Sequence, residues 1–406
     1  MTILVLNAGS SSVKFALFEA DGTRRLQGAA AGIGGTASLE MGGARAPAAL
    51  SDHEAAFRAI LAALSGAGLG PETFAAAAHR VVHGGPRLTA PARLTPEVVA
   101  EIEAASALAP LHTPHNLRGI RALAALAPEL PQVACFDTAF HATMPRAARD
   151  YALPHALAEA EGLRRYGFHG LSYAALVARL PALSGAPLPG RLLAYHLGNG
   201  ASAAAIREGR SVATTMGVSP LDGLTMGTRV GGIDASAVLH LAERHGIART
   251  REILNAESGL LGLSGESADM RTLLASPHPG AARAIDHFCH WAVRHGGALI
   301  AAMGGLDAVA FTGGIGENAP AIRARISDGL GWAGVALDAP ANAGNAARLH
   351  EDGARVGVWR VPAEEEWFIA REARAVLGAE RMADQAGDEA EDQTGDQAGA
   401  GLSPRS

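Results

Sequence analysis

The chain contains one lysine, Lys14, and every other Lys/Arg position is arginine. Lys14 closes the stretch Asn7-Ala8-Gly9-Ser10-Ser11-Ser12-Val13-Lys14. An apolar run at residues 3–6 stops at a polar Asn, a Gly-Ser turn follows, and a second apolar run begins. Two strands joined by a small, hydroxyl-rich turn suit a phosphate, because backbone N–H groups and the hydroxyls of Ser10 and Ser12 can both face its oxygens. A compact ammonium kept beside that turn, in a chain otherwise given over to arginine, points to a need for a point charge. The competing account is a plain serine-rich hairpin. A second glycine stretch, Thr312-Gly313-Gly314-Ile315-Gly316-Glu317-Asn318, follows a strand pattern and precedes Pro320, which suits a helix start. Strand, glycine loop and helix start make a seat for an anion or nucleotide. Asp137 ends the apolar run of residues 132–136, where open α/β sheets place ligands.

These residues must be positioned by an α/β scaffold of more than one core, given 406 residues with 48% hydrophobic and 18% charged side chains. Strands are expected at 79–82, 132–136, 192–196, 307–311 and 356–361. Helices are expected at 52–64, from Thr95-Pro96, to about 126, at 235–245, at 280–303, from Pro320 and at 364–377. The glycine- and alanine-rich stretch 28–49 carries no clear pattern. The N-terminal word returns near residue 196: strand, polar residue (Asn7 or His196), Gly (Gly9 or Gly198), small polar turn, strand, hairpin. A repeat at that distance implies a duplicated domain. The expected organisation is an N-terminal unit at 1–145, a second nucleotide-binding unit at 146–363, a helix at 364–381 returning to the first, and an acidic disordered tail at 382–406. That tail carries six acids and one base, so most of the net charge of −6 lies there. The body therefore has no basic patch for nucleic acid. No apolar run suits a membrane span and no basic leader is visible. The two cysteines, Cys135 and Cys289, read as reduced thiols of a cytoplasmic protein.

Neither a Walker pattern nor a strand-linked GxGxxG is present. The full set of words is Asn7 to Lys14, His79-Arg80-Val81-Val82-His83-Gly84-Gly85, Phe136-Asp137-Thr138-Ala139-Phe140-His141, Gly167-Phe168-His169-Gly170, His196-Leu197-Gly198-Asn199-Gly200, Gly223-Leu224-Thr225-Met226-Gly227-Thr228-Arg229 and Phe311 to Asn318. In this order they resemble the acetate kinase family, from the N-terminus to about residue 378. The resemblance implies a two-domain, duplicated actin-like (ribonuclease H-like) ATPase fold with a nucleotide in the interdomain cleft. It implies ATP as co-substrate, acetate as acceptor, Mg2+ (with Mn2+ as alternative) and a homodimer. It assigns Asn7 and Glu365 to the metal, Lys14 to ATP and Arg80 to the carboxylate. His169 and Arg229 match the pair that stabilises the transition state, and Asp137 the active-site acid. Three segments match nucleotide contacts: His196, Leu197, Gly198, Asn199 and Gly200; Asp269, Met270 and Arg271; and Gly314, Ile315, Gly316, Glu317 and Asn318. Val82, Leu111, Phe168 and Pro220 match the pocket for the methyl group.

The chemistry agrees with that resemblance. A carboxylate is ionised near neutral pH and needs no general base to attack a phosphoryl group. What the reaction needs is cations to bring one anion onto another, and two arginines supply them. Taken singly, each residue has a plainer role: His169 a structural loop histidine, Asp137 a helix cap, Arg80 and Arg229 surface ion pairs, residues 364–366 an acidic first helical turn. Four positions depart from the family pattern. Gly232 stands where an acid is usual after Arg229, Tyr173 where a His is common, Ala213 where an Asp precedes Thr214, and Glu364 where an Asn precedes Glu365. Two alternatives remain open on sequence: a kinase for propionate or another short acid, and a non-catalytic actin-like nucleotide scaffold.

Overall fold

The computed structural model describes residues 2–380, so residue 381 and the acidic tail expected from 382 lie outside the described residues. Two sheets carry the chain. The first holds β1 (Thr2–Ala8), β2 (Ser12–Phe18), β3 (Arg24–Ala31), β4 (Ser38–Met41), β5 (Ala44–Pro47), β6 (Phe74–Val81), β7 (Ala92–Arg93) and β8 (Gln132–Phe136). The second holds β9 (Arg191–Leu197), β10 (Ala201–Arg207), β11 (Arg210–Thr214), β12 (Ala308–Thr312) and β13 (Gly357–Arg360). Their strand orders, β5-β4-β3-β2-β1-β6-β8-β7 and β11-β10-β9-β12-β13, share one plan. In each, a leading strand pairs antiparallel with its hairpin partner (β1 with β2, β9 with β10) and parallel on its other side (β1 with β6, β9 with β12). The expected duplication is thus present as a repeated topology.

Both faces of the central strands of each sheet are covered, which is why those strands read as continuous apolar runs. Leu4 and Leu6 pack with the helices His53–Gly66 and Thr113–Leu126, while Ile3 and Val5 face the C-terminal helix through Ile369, Ala370 and Ala373. That helix begins at 365 and continues to 380, and it packs on the first sheet. In the second sheet, Leu193, Tyr195 and Phe311 pack with the long helix Pro279–Met303. The helix Gly170–Ser184 spans the seam: Leu171 joins the core of the first sheet, Tyr173, Leu176 and Leu180 that of the second. Truncating one fully buried leucine, Leu4 or Leu176, removes about 2–5 kcal/mol.

The structure differs from the sequence expectation at three places. Residues 28–49 are largely strand, with Gly28 needed where an added Cβ would lie 2.2 Å from the Glu40 carbonyl. β6 begins five residues earlier than expected, through an alanine run without β-branched residues. The glycine stretch after β12 is itself helical from Gly313 to Asn318. Among the described residues no helix is long and apolar enough to cross a membrane.

Candidate active site

Arg80 leaves the last turn of β6 and meets Asp137, the residue after β8. Nε and Nη2 of Arg80 donate to the two carboxylate oxygens at 3.0 and 2.6 Å. Asp137 is buried. Burial raises its carboxyl above the ordinary value, and the Arg80 charge and hydrogen bonds pull it back. For Arg80, burial opposes the charge, but the Asp137 and Glu365 carboxylates outweigh it and the net shift is upward. The two parallel N–H···O bonds are the bidentate geometry of an arginine–carboxylate pair. The Glu365 carboxylate stands 3.9 Å from Arg80 Nε, so the C-terminal segment reaches the site.

Asp137 also builds the next turn. Its carbonyl accepts from Gly170 N–H at 2.8 Å, and a Cβ on Gly170 would fall 2.2 Å from that oxygen. Preceding it, His169 is held at φ 58°, in the left-handed region, at the start of the helix Gly170–Ser184. A non-glycine residue there is strained, which marks a position fixed by its surroundings. The His169 ring stacks on His196 at 4.1 Å between centroids. Ser202 Oγ lies 2.8 Å from His169 Nδ1 and 2.6 Å from the Tyr173 hydroxyl, while Ser172 Oγ lies 2.8 Å from His196 Nδ1. Burial, aided by His196, Arg80 and Arg229, holds His169 well below the ordinary imidazole value, and burial brings His196 down to about 4. Both rings are neutral near pH 7.

Arg229 donates from Nη1 to the Pro220 carbonyl at 2.6 Å. A Cβ on Gly200 would lie 3.0 Å from Arg229 Nη2 and 3.2 Å from His169 Nε2, so both groups converge over Gly200. Beyond this point lies a cavity of about 760 Å³ lined by Gly198, Asn199, Asp269, Met270, Arg271, Gly314, Ile315 and Asn318 among others. All three expected nucleotide segments meet there. The remaining expected members serve differently. Leu197 is core, and Glu317 Oε1 accepts from Gly313 N–H and Ala363 N–H, tying this loop to the segment that carries Glu365. Asp269 caps the helix Met270–Ala275.

On the other side of Arg229 an apolar cavity of about 400 Å³ is lined by Leu111, Pro220, His112, Val238 and Leu254, with Arg229 at its edge. Of the four expected methyl-pocket residues, Leu111 and Pro220 line it. Val82 and Phe168 are buried in the core of the second sheet instead. A third cavity, about 620 Å³, brings Asn7, Lys14 and Glu365 together with Arg24, Arg179 and Trp367. The amide oxygen of Asn7 and the carboxylate of Glu365 are hard oxygen donors facing one space, a set that fits a small divalent cation keeping much of its water. Ser10 is exposed, and Ser12 accepts from Gly9 N–H at 2.8 Å through its carbonyl, closing the turn.

Several residues of the site were not singled out on sequence. Asn116 bridges β1 to β6, donating to Ala8 O and accepting from Val82 N–H. Arg323, fully buried, donates to the carbonyls of Gly316 and Glu317 and to Asn342 and Asn345, and burial brings its guanidinium down to about 10. The departures find partners: Tyr173 joins Ser202, Glu364 pairs with Arg179, and Arg179 also stacks on Trp367 at 4.4 Å. Gly232 lies against Trp291 with its N–H donated to Gly223 O. Ala213 pairs with Ala205 in the β10–β11 ladder.

Two sheets of one topology, with glycine turns and arginines facing shared cavities, define a duplicated two-sheet α/β fold. The chain belongs to the Acetokinase family, whose model matches residues 2–371. It is 46% identical over 386 residues to the acetate kinase of Rhodopseudomonas palustris, covering 91% of this chain and 96% of that protein. It is 45% identical over 394 residues to the acetate kinase of Nitrobacter hamburgensis, covering 93% and 96%. The crystal structure of Porphyromonas gingivalis acetate kinase superposes with a TM-score of 0.86 at 36% identity, over 93% of this chain and 99% of that one. A propionate kinase from Francisella tularensis superposes with a TM-score of 0.87 at 35% identity, over 91% and 98%.

Proposed function

We propose that the chain catalyses reversible phosphoryl transfer from ATP to acetate, giving acetyl phosphate and ADP. The observation that carries this reading is the convergence of Arg229 and His169 over Gly200, between a nucleotide-sized cavity and an apolar one. Arg80, oriented by Asp137, holds the acceptor carboxylate. Arg229 neutralises the equatorial oxygens of the transferring group, and neutral His169 donates to them from Nε2. In the tautomer this reading uses, Tyr173 donates to Ser202 and Ser202 to His169 Nδ1, which leaves the proton on Nε2. Asp137 orients Arg80 and removes no proton, because the acceptor is already an anion. Lys14, Ser10 and Ser12 face the ATP phosphates, and the 196–200, 269–271 and 314–318 segments hold the nucleotide.

Asn7 and Glu365 would hold Mg2+, with Mn2+ as a substitute, and the ion would supply charge neutralisation along the phosphates. Leu111 and Pro220 bound the acyl group, and Val82 and Phe168 support that wall from the core. The two sheets with their helices form the units 1–145 and 146–363. The protein acts as a cytoplasmic homodimer. Incubation with ATP, Mg2+ and acetate, propionate, butyrate or no acid, followed by hydroxylamine trapping, tests the reading. Hydroxamate from acetate, declining with chain length, is expected. None from any acid, with ATP still bound, overturns it in favour of a nucleotide scaffold.

A further inference from the structure

We propose that Lys14 is a self-acylation site, modified by the acyl phosphate formed in the adjoining site. The inference rests on the acetate kinase reading above. An acyl phosphate is an acylating agent, and the side chains able to form a stable amide with it are lysines. This chain has one. Its arginines stay protonated and do not compete. Its two thiols are buried, Cys289 pushed up to about 11 and Cys135 also raised by burial, so little thiolate is present.

Position makes Lys14 the exposed target. It stands opposite Asn7 in the β1–β2 register, so the two side chains leave the same face of the sheet. Lys14 is solvent-exposed and lines the same cavity as Asn7 and Glu365, and Glu365 in turn lies 3.9 Å from Arg80. The other acids of that cavity face arginines: Glu364 pairs with Arg179, and Glu366 lies 3.8 Å from Arg24. The ammonium therefore shares one cavity with the carboxylate that reaches Arg80.

The step balances without a further reactant. The lone pair of the uncharged Nζ attacks the carbonyl carbon of acetyl phosphate, and the amide C–N bond forms. The C–O bond to phosphorus breaks on the carbon side, and inorganic phosphate leaves with the electron pair and takes up the proton lost from nitrogen. The product has lost the one lysine charge near the phosphate turn. Accumulated acyl phosphate thereby switches off the enzyme that makes it.

The test supplies acetyl phosphate ready-made to the full chain without nucleotide, with an unstructured lysine-containing peptide in the same tube as reference. Site-resolved mass spectrometry follows acetylation, and ATP formation from acetyl phosphate and ADP is assayed on the same samples. The expected result is acetylation of Lys14 about tenfold faster than of the reference lysine. Turnover should fall in step, and saturating ATP with Mg2+ should slow both. The variant K14R should acquire acetyl only at the α-amine. Labelling of Lys14 no faster than the reference, indifference to ATP, or acetylation at the α-amine alone overturns the proposal. An enzyme that makes no ATP at time zero instead refutes the kinase reading, so the two failures are distinct.

Discussion

Removal of the Tyr173 hydroxyl is the sharpest test of how the site is tuned, because this hydroxyl reaches His169 through Ser202. In Tyr173→Phe the ring remains and the 2.6 Å contact to Ser202 is lost. Ser202 is fully buried, so its hydroxyl keeps one partner, His169 Nδ1, and loses the group that oriented it. One such hydrogen bond is worth about 0.5–1.5 kcal/mol net, and stability should fall by about 1 kcal/mol. The same free energy no longer biases the His169 tautomer, so the competent form is depleted and kcat should fall about 3–10-fold. Nothing in the acetate or nucleotide cavities changes, so both KM values should stay within about twofold. Ser202→Ala should cost a similar factor, and the double variant no more than the worse single one, since both act through one chain. Initial-rate kinetics with urea unfolding on the same four proteins decide it. If kcat of Tyr173→Phe is unchanged while stability drops, Tyr173 is only core and the tautomer argument fails.

Arg229→Leu should reduce acyl phosphate formation by about 10³-fold or more while ATP affinity, read by calorimetry, changes only a few-fold. Asp137→Asn keeps the backbone bonds but frees Arg80 from its bidentate partner; the expected outcome is a rise in KM for acetate of about tenfold with a smaller change in KM for ATP. Glu364→Asn breaks a half-exposed pair with Arg179 and should shift stability by less than about 1 kcal/mol in urea melts. His79, His83, His141 and His196 are each held at about 4 by burial. Their folded values lie below the unfolded one, so the unfolded chain gains protons first: stability is full above about pH 6.5 and falls toward pH 4, by up to about 1.4 kcal/mol per pH unit for each ring. Urea midpoints that do not move between about pH 7.5 and 5.5 would contradict that burial.

What the sequence revealed followed from how locally each feature is determined. β1, β8 and β9 were legible because an apolar run broken by a polar or glycine residue is a local signal. Helix starts at Asp52 and Thr95 were legible because those side chains do cap, accepting from Ala55 N–H and Val98 N–H. β3 to β5 were not, because glycine and alanine carry neither alternation nor β-propensity, and β5 is exposed throughout. In the site, words such as Gly167-Phe168-His169-Gly170 announced a constrained loop. They did not say that Phe168 turns into the core while Leu111 and Pro220 line the cavity, since both are apolar residues in motifs. Ser202, Tyr173 and His169 come from β10 and from one helix and its start, so their hydrogen-bonded chain has no sequence spacing to betray it. Arg323 looked like any surface arginine; only the fold shows that its donors are spent on the carbonyls ending the 313–318 helix and on Asn342 and Asn345.

The seam between the sheets explains why so few residues govern both halves of the reaction. Asp137 donates its N–H to the Val81 carbonyl, grips Arg80 with its carboxylate and fixes Gly170 with its own carbonyl. Arg80 belongs to the first sheet; Gly170 opens the helix whose body packs on the second. One buried acid thus sets the distance between Arg80 and His169, the groups proposed to hold the acceptor and to meet the phosphoryl group. Glu317 does the same on the far side, bonding both Gly313 and Ala363, so the nucleotide loop and the segment bearing Glu365 move together. A site assembled from two sheets keeps sub-ångström alignment only if such cross-seam groups are few, buried and charged or bidentate, because flexible or singly bonded bridges would let the halves drift by more than phosphoryl transfer tolerates. Asp137, buried and bidentate to Arg80, meets that condition, and half-buried Glu317 adds two N–H bonds on the far side, so the burden of alignment falls on these acids.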